Sequence, residues 1–276
     1  MGTNPYKVVN IIHEGDCLEL LRKFPSDFLD CTITSPPYNK CGARGGIKDS
    51  IIYDEDTDSK PESEYQSEQI DVLEEIHRAT VPGGHCFYNH KVRYKNKGSA
   101  ISPFEWLLKT SWLIRQEIVW DRNAAINIRG WRFHEFDERI YWLNKSDDAA
   151  GHELESKHAI LGSVWHIPPE TKNKHPAPFP IELPARVLIS VFNNEKEKIV
   201  FDPYMGSGTT AVAAVLLGHH YIGLEQSPKY IKTAEKRIKE AQSESFKVYA
   251  EQTLHNVKNP YHRKIKPDAE KWLQQP

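Results

Sequence analysis

Short apolar runs bounded by turn residues alternate along this chain with amphipathic stretches, a pattern that predicts strands and helices in turn. Val8 to Ile12 and Asp30 to Thr34 read as strands, with the helical pattern Cys17 to Phe24 between them. Ser63 to Thr80 carries Ile70, Leu73 and Ile76 at helical spacing, and Pro82-Gly83-Gly84 supplies a stop signal before the strand His85 to Asn89. Phe104 to Leu108 reads as a helix, and Leu113 to Trp120 and Arg139 to Leu143 read as strands. The second half repeats the rhythm: helix Pro178 to Phe192, strand Lys198 to Phe201, helix Ala211 to Leu217, strand Tyr221 to Leu224 and helix Pro228 to Ala241. Such alternation predicts an α/β fold, a doubly wound and mostly parallel sheet that gathers ligands at the carboxyl ends of its strands. Asp16, Ser35, Asp202 and Glu225 all fall at predicted carboxyl ends, so residues far apart in sequence are expected along one edge.

The run Phe28 to Thr34 leads directly into Ser35-Pro36-Pro37-Tyr38. Successive prolines donate no backbone N–H and hold φ near about −65°, which stiffens the turn and frees the Pro36 carbonyl to point outward. Ser35 Oγ and that carbonyl are acceptors, and Tyr38 offers a flat ring. Acceptors beside a ring suit the exocyclic amine of a flipped base, whose lone pair is delocalised and whose nitrogen must be drawn toward sp³ before it attacks. Taken alone, the four residues read equally well as a strand ending in a proline turn.

A second signal lies far downstream, where the apolar strand ending at Phe201-Asp202 runs through Pro203, Tyr204 and Met205 into Gly206-Ser207-Gly208-Thr209-Thr210 and a helix. Glycines let backbone approach a ligand, and a helix start brings unpaired N–H groups to it. The next strand ends in Glu225, an acid suited to a ribose diol. Gly206 to Ala211 also reads as G-x-G-x-x-A, so a nicotinamide-dependent oxidoreductase is the first rival. That rival leaves Ser35 to Tyr38 unexplained.

Between the two signals stands a third, His175-Pro176-Ala177-Pro178-Phe179-Pro180, and upstream of both lies Gly15-Asp16-Cys17-Leu18-Glu19-Leu20-Leu21. In this order the four elements resemble the DNA amino-methyltransferases of the circularly permuted β class, over most of positions 8 to 240. The resemblance implies a Rossmann-like, permuted methyltransferase fold, S-adenosylmethionine as cofactor and double-stranded DNA as partner. It implies a restriction-modification setting with a cognate endonuclease. Ser35, Pro36, Pro37 and Tyr38 become the catalytic residues. Asp16 at the adenine, Glu225 at the ribose, Gly206, Gly208, Thr209 and Thr210 at the methionine end, His175 and Phe179 at the pocket wall, and Cys17, Asp202 and Ser207 beside them become the cofactor site. Serine at the first catalytic position is associated with cytosine N4 and aspartate with adenine N6, so cytosine N4 is the preferred target and adenine N6 the alternative. Attack through cytosine C5 needs a nucleophilic cysteine, typically after a proline, and no cysteine here follows one.

Composition narrows the picture modestly. At 276 residues one catalytic domain is expected, and a polar loop at 39–63 would act as a lid. The resemblance implies a target-recognition region at about 122–173, between the late strands and the His175-Pro176 element. So small a recognition region suggests a short target sequence or help from a second subunit, a homodimer. Lys+Arg 36 against Asp+Glu 38 leaves no global basic field, so DNA must be met by local cations. Candidates are Lys91 and Arg93 in a basic stretch, and Arg122, Asn123, Arg129 and Arg132, which mix amide and guanidinium groups with Trp131. Cys17, Cys31, Cys41 and Cys86 lack C-x-x-C spacing, so a reduced, cytoplasmic protein without structural zinc is expected, and no apolar run suggests a membrane. A third class, a catalytically silent nucleic-acid-binding protein on the same fold, and a protein or RNA amine as substrate stay open.

Overall fold

A computed structural model of the protein describes residues 9–39, 60–95, 98–122, 130–146, 154, 158, 162–170 and 179–243. Ten strands and six helices are defined among them. In chain order they are β1 (Ile11–Glu14), α1 (Cys17–Leu21), β2 (Leu29–Thr34), α2 (Glu62–Ala79), β3 (Thr80–His90), β4 (Arg93–Lys95), β5 (Ser99–Ile101), α3 (Phe104–Leu107), β6 (Leu113–Asp121), β7 (Asp137–Asn144), β8 (Val164–His166), α4 (Glu182–Phe192), β9 (Ile199–Asp202), α5 (Thr209–Leu217), β10 (His220–Glu225) and α6 (Pro228–Ala241).

Eight strands form one sheet in the order β1-β10-β9-β2-β3-β7-β6-β8, and β4 and β5 form a separate hairpin. All neighbours in the large sheet are parallel except β7, which runs against both β3 and β6. This is the doubly wound α/β sheet expected from the alternation. Its single reversal puts the start of β7 beside the carboxyl ends of the other strands.

The central strands read as continuous apolar runs because both faces are covered. Alternate residues part company: Cys31, Ile33, Phe87, Ile140, Trp142 and Val200 join the cluster under α4, α5 and α6, while Leu29, Cys86, Tyr88, Tyr141, Leu143 and Phe201 join that under α1, α2 and α3. Helix α2 buries Tyr65, Gln69, Val72, Leu73, Ile76 and Ala79, one stripe at helical spacing.

Element boundaries differ from expectation where local signals compete. The Pro82-Gly83-Gly84 signal ends α2 at Ala79, yet β3 already begins at Thr80. Pairing moves from Leu29↔Thr80 to Cys31↔His85, so residues 81–84 bulge from the ladder. The short strands β4, β5 and β8 have no periodicity long enough to read. The stretch 122–173 supplies β7 and β8 to the main sheet. Trp165 and Ile167 are buried there. The polar loop expected to act as a lid lies outside the described residues from 40 to 59, although its base is closed by Asn39, whose side chain bonds Lys60 N and O at 2.7 and 3.0 Å.

Candidate active site

Parallel strands align their carboxyl ends, and register places Thr34 beside Tyr88, Thr32 beside Phe201, Gly223 beside Asp202, and Glu14 beside Glu225. The serine-proline turn at the end of β2 and the glycine turn at the end of β9 are therefore neighbours. Asp202 joins them. Its Oδ1 accepts from Thr34 Oγ at 2.9 Å and from Tyr204 N at 3.1 Å, and its Oδ2 accepts from Thr210 Oγ at 2.8 Å. Burial pushes its carboxyl up to about 7, against the pull of those donors. Asp202 was expected to face the cofactor; the carboxylate instead points inward and braces the two turns.

The glycines divide their work in a way the motif does not reveal. Gly206 and Gly208 have φ of 51° and 80°. A Cβ on Gly208 would lie 2.7 Å from the Ala234 Cβ, so this glycine lets α6 pack against the turn. Arg237 of α6 reaches back and donates to the Ser207 carbonyl at 2.5 Å, Ser207 Oγ at 2.9 Å and Thr209 Oγ at 3.1 Å. The Ser207 and Thr209 hydroxyls thus hold the turn together, as does Thr210 through Asp202. Burial lowers the Arg237 pKa, against the opposing charges of Glu170 and Glu240.

Two acids stand at the neighbouring ends of β1 and β10. Glu225 accepts from Gly206 N at 2.8 Å through one oxygen and from Ser227 N at 2.9 Å through the other, and burial raises its pKa. Asp16 caps α1, with Oδ1 accepting from Leu18 N and Glu19 N at 2.9 and 3.0 Å and Oδ2 from Gln226 Nε2 at 3.2 Å. Glu225 also receives the Gln226 backbone N–H, and its two oxygens together have about four acceptor positions. Acceptors at two adjacent strand ends fit a nucleoside with a diol and an amine. Cys17 is buried, and its thiol is pushed up to about 12 by that burial, so its side chain belongs to the core. Phe179 packs half-buried against the core beneath α4 and α5. His175 lies outside the described residues.

The serine-proline turn is held from several sides. Tyr65 of α2 donates to the Pro37 carbonyl at 2.8 Å and lies 2.7 Å from His90 Nε2. Among the described residues nothing donates to the Pro36 carbonyl. Tyr38 is buried, its ring 4.6 Å from that of His90. Its hydroxyl lies 2.7 Å from Ser35 Oγ and donates to Glu138 Oε2 at 2.9 Å. Asn89 Nδ2 approaches Ser35 Oγ at 3.3 Å, Tyr38 Oη at 2.9 Å and Glu138 Oε2 at 3.0 Å. Glu138 and Asn89 were absent from the expected site. Glu138 stands between Asp137 and Arg139, and Asn89 beside His90, so neither is marked out from its neighbours in the sequence.

The expected DNA-contacting cations fare differently. Arg93 is buried in a bidentate pair with Glu62 at 2.6 and 2.7 Å, 4.7 Å over the Tyr65 ring, and so fastens β4 to α2 instead of reaching for phosphate. Lys91 and Arg122 both turn to Glu138, at 2.9 and 3.2 Å. Arg132 pairs with Glu135 at 2.7 Å and lies 4.7 Å over Tyr94. Asn123 and Arg129 lie outside the described residues. Among the described residues between β6 and β7, the side chains most open to solvent are aromatic: Phe133 is 98% exposed, with Trp131 and Phe136 partly exposed, and Tyr94 of β4 lies against Trp131.

A glycine turn between strand and helix, acids on adjacent strand ends and a second turn of acceptors beside it define a nucleotide-cofactor enzyme of the doubly wound α/β class. The chain belongs to the DNA methylase family whose model, N6_N4_Mtase, matches residues 29–236. It is 30% identical over 267 residues to the type II methyltransferase M.ScaI of Streptomyces caespitosus, covering 84% of this chain and 83% of that one. Its fold is similar to that of the PvuII DNA methyltransferase, described as cytosine-N4-specific, with a TM-score of 0.67 at 18% identity, covering 90% of this chain and 92% of that one. It is similar also to M1.HpyAVI, solved as a complex with SAM, with a TM-score of 0.57 at 20% identity over 82% of this chain and 98% of that one.

Proposed function

We propose that this protein is a site-specific DNA methyltransferase that moves the methyl group of S-adenosylmethionine to the exocyclic N4 amine of a flipped-out cytosine. In this reading it works on double-stranded DNA in a restriction-modification system, with a cognate endonuclease and a second copy of the chain as expected partners. The observation that carries the reading is the junction of the two turns through Thr34, Asp202 and Thr210, which holds the acceptors of Ser35 and Pro36 beside the glycine turn. The type II class of M.ScaI and the SAM bound to M1.HpyAVI support the setting and the cofactor.

S-adenosylmethionine supplies a methyl carbon made electrophilic by its sulfonium. The chain has then to position and to exclude water. Glu225 and Asp16 would hold the ribose hydroxyls and the adenine amine, and the backbone of Gly206 to Thr210 the methionine end. Ser35 Oγ and the Pro36 carbonyl would accept the two N–H bonds of the amine and draw its nitrogen toward sp³, while the Tyr38 ring walls the base. Mass spectrometry of nucleosides from DNA incubated with enzyme and cofactor tests base, atom and activity together; no methylated nucleoside would sink the proposal.

Glu225→Ala should weaken S-adenosylmethionine binding by roughly 1.5 to 3 kcal/mol, about 10- to 150-fold, the range for hydrogen bonds to a charged group. Duplex DNA binding should be unchanged. Unaltered cofactor affinity by calorimetry would remove Glu225 from the ribose.

The exposed aromatics between β6 and β7 sit at the catalytic edge, since they join the carboxyl end of β6 to the amino end of β7. Phe133→Ala should lower affinity for target duplex by roughly 1 to 3 kcal/mol, as expected for a lost base-stacking contact. The thermal midpoint should stay put, because so exposed a ring contributes little to folding. Equal duplex affinity in the variant and the parent would discard this surface as a DNA contact.

A further inference from the structure

Glu138 belongs to none of the motifs, yet at least four of the described side chains converge on it. It is the second residue of β7, the one strand that enters the catalytic edge amino end first. Its side chain is 9% exposed. Lys91 and Arg122 flank Oε1 at 2.9 and 3.2 Å, and Tyr38 and Asn89 donate to Oε2 at 2.9 and 3.0 Å.

The directions of these bonds follow from counting protons. A carboxylate paired with two cations accepts and does not donate, so Tyr38 gives Glu138 its single phenolic proton. At the 2.7 Å contact between Ser35 Oγ and Tyr38 Oη the donor must then be Ser35. Asn89 cannot reverse this order, since the same carboxylate obliges its nitrogen, not its oxygen, to face the cluster. The Ser35 proton is thereby turned inward, and the remaining lone pair of Oγ is what the hydroxyl offers to a neighbour.

We propose that Glu138 is a positioning residue for methyl transfer: acting through Tyr38, it orients the Ser35 hydroxyl as an acceptor for the target amine. The inference rests on the methyl-transfer reading of Ser35. A neutral hydroxyl is ordinarily as ready to donate as to accept, and a donor facing the amine lone pair would hold back the electrons that must attack. The chain amine to Ser35 to Tyr38 to Glu138 instead runs in one direction toward a negative charge, and hydrogen bonds so aligned strengthen one another. Glu138 thus lends to a serine some of the acceptor strength that a carboxylate would have at the same place.

The test uses the full chain with S-adenosylmethionine and duplex DNA, comparing Glu138→Gln, Tyr38→Phe and the double variant by single-turnover rate and by separate cofactor and DNA affinities. Each single variant should lose roughly 10- to 100-fold in rate with both affinities within about twofold of wild type, and the double variant should be no slower than the worse single, as for residues acting as one unit. Rates of Glu138→Gln near wild type, or losses that multiply in the double variant, would overturn the inference while leaving the methyltransferase reading standing. A loss confined to affinity or to thermal midpoint would overturn it likewise, as the mark of a structural role. Should Glu138→Gln fail to fold, Tyr38→Phe keeps the ring and decides alone, full turnover counting against the proposal. Wild-type protein that methylates no DNA would overturn both.

Discussion

Ser35→Ala is expected to lower methyl-transfer turnover roughly 10- to 150-fold, equivalent to about 1.5 to 3 kcal/mol, while S-adenosylmethionine affinity stays close to that of wild type. The split follows from where the hydroxyl acts. In the proposed reading Ser35 Oγ holds the nucleophile, whose nitrogen needs its acceptors most as it pyramidalises, so the interaction would be worth more in the transition state than in the ground state. The residues proposed to hold the cofactor are others, Glu225, Asp16 and the backbone of the glycine turn. With wild-type enzyme, digested DNA should yield N4-methylcytosine. Recovery of N6-methyladenine as the only product would overturn the base assignment and leave the fold and the site intact. Equal losses of cofactor affinity and turnover in Ser35→Ala would instead move Ser35 out of the base pocket.

Gly208→Val should cost about 2 to 5 kcal/mol of folding stability. The residue lies at φ 80°, where a side chain is penalised by roughly 1 to 2 kcal/mol. Its Cβ would meet the Ala234 Cβ at 2.7 Å and the Ala234 Cα at 3.1 Å. Backbone and a methyl group on a packed helix cannot step aside cheaply, so overpacking adds about 1 to 3 kcal/mol. Thermal unfolding should show a clear drop in midpoint, and an unchanged midpoint would mean that α6 does not seat against the turn as described. The glycine motif reads in the sequence as a place for ligand to come close; at Gly208 the close neighbour is the protein's own helix.

Much of the fold was legible because its signals are local. The apolar strands, the helical stripe of α2 and the end of α2 before Pro82-Gly83-Gly84 all follow from side-chain spacing and backbone chemistry within a few residues. Strands β4, β5 and β8 escaped notice because each pairs along only three residues, too few for a period to show. Among the expected site residues, Asp16, Ser35, Tyr38 and Glu225 do stand on one edge, since parallel strands align their ends whatever lies between them. The charged residues were read less well. Arg93, Lys91 and Arg122 looked like cations in search of phosphate, and each found a carboxylate of this chain.

Taken alone, the chain determined which segments are strands and helices, the order of its motifs and the edge on which they gather, because periodicity and turn chemistry act over short distances. Which polar groups meet was settled only by the tertiary structure. Asp202 is reached from Thr34, 168 residues away, and Glu138 from Tyr38, 100 residues away. Those meetings depend on strand order and on the reversal of β7, which brings the amino end of one strand to the carboxyl ends of its neighbours. A hydrogen bond needs its partners within a few tenths of an ångström, and nothing in the spacing of residues along a chain encodes a distance across a sheet.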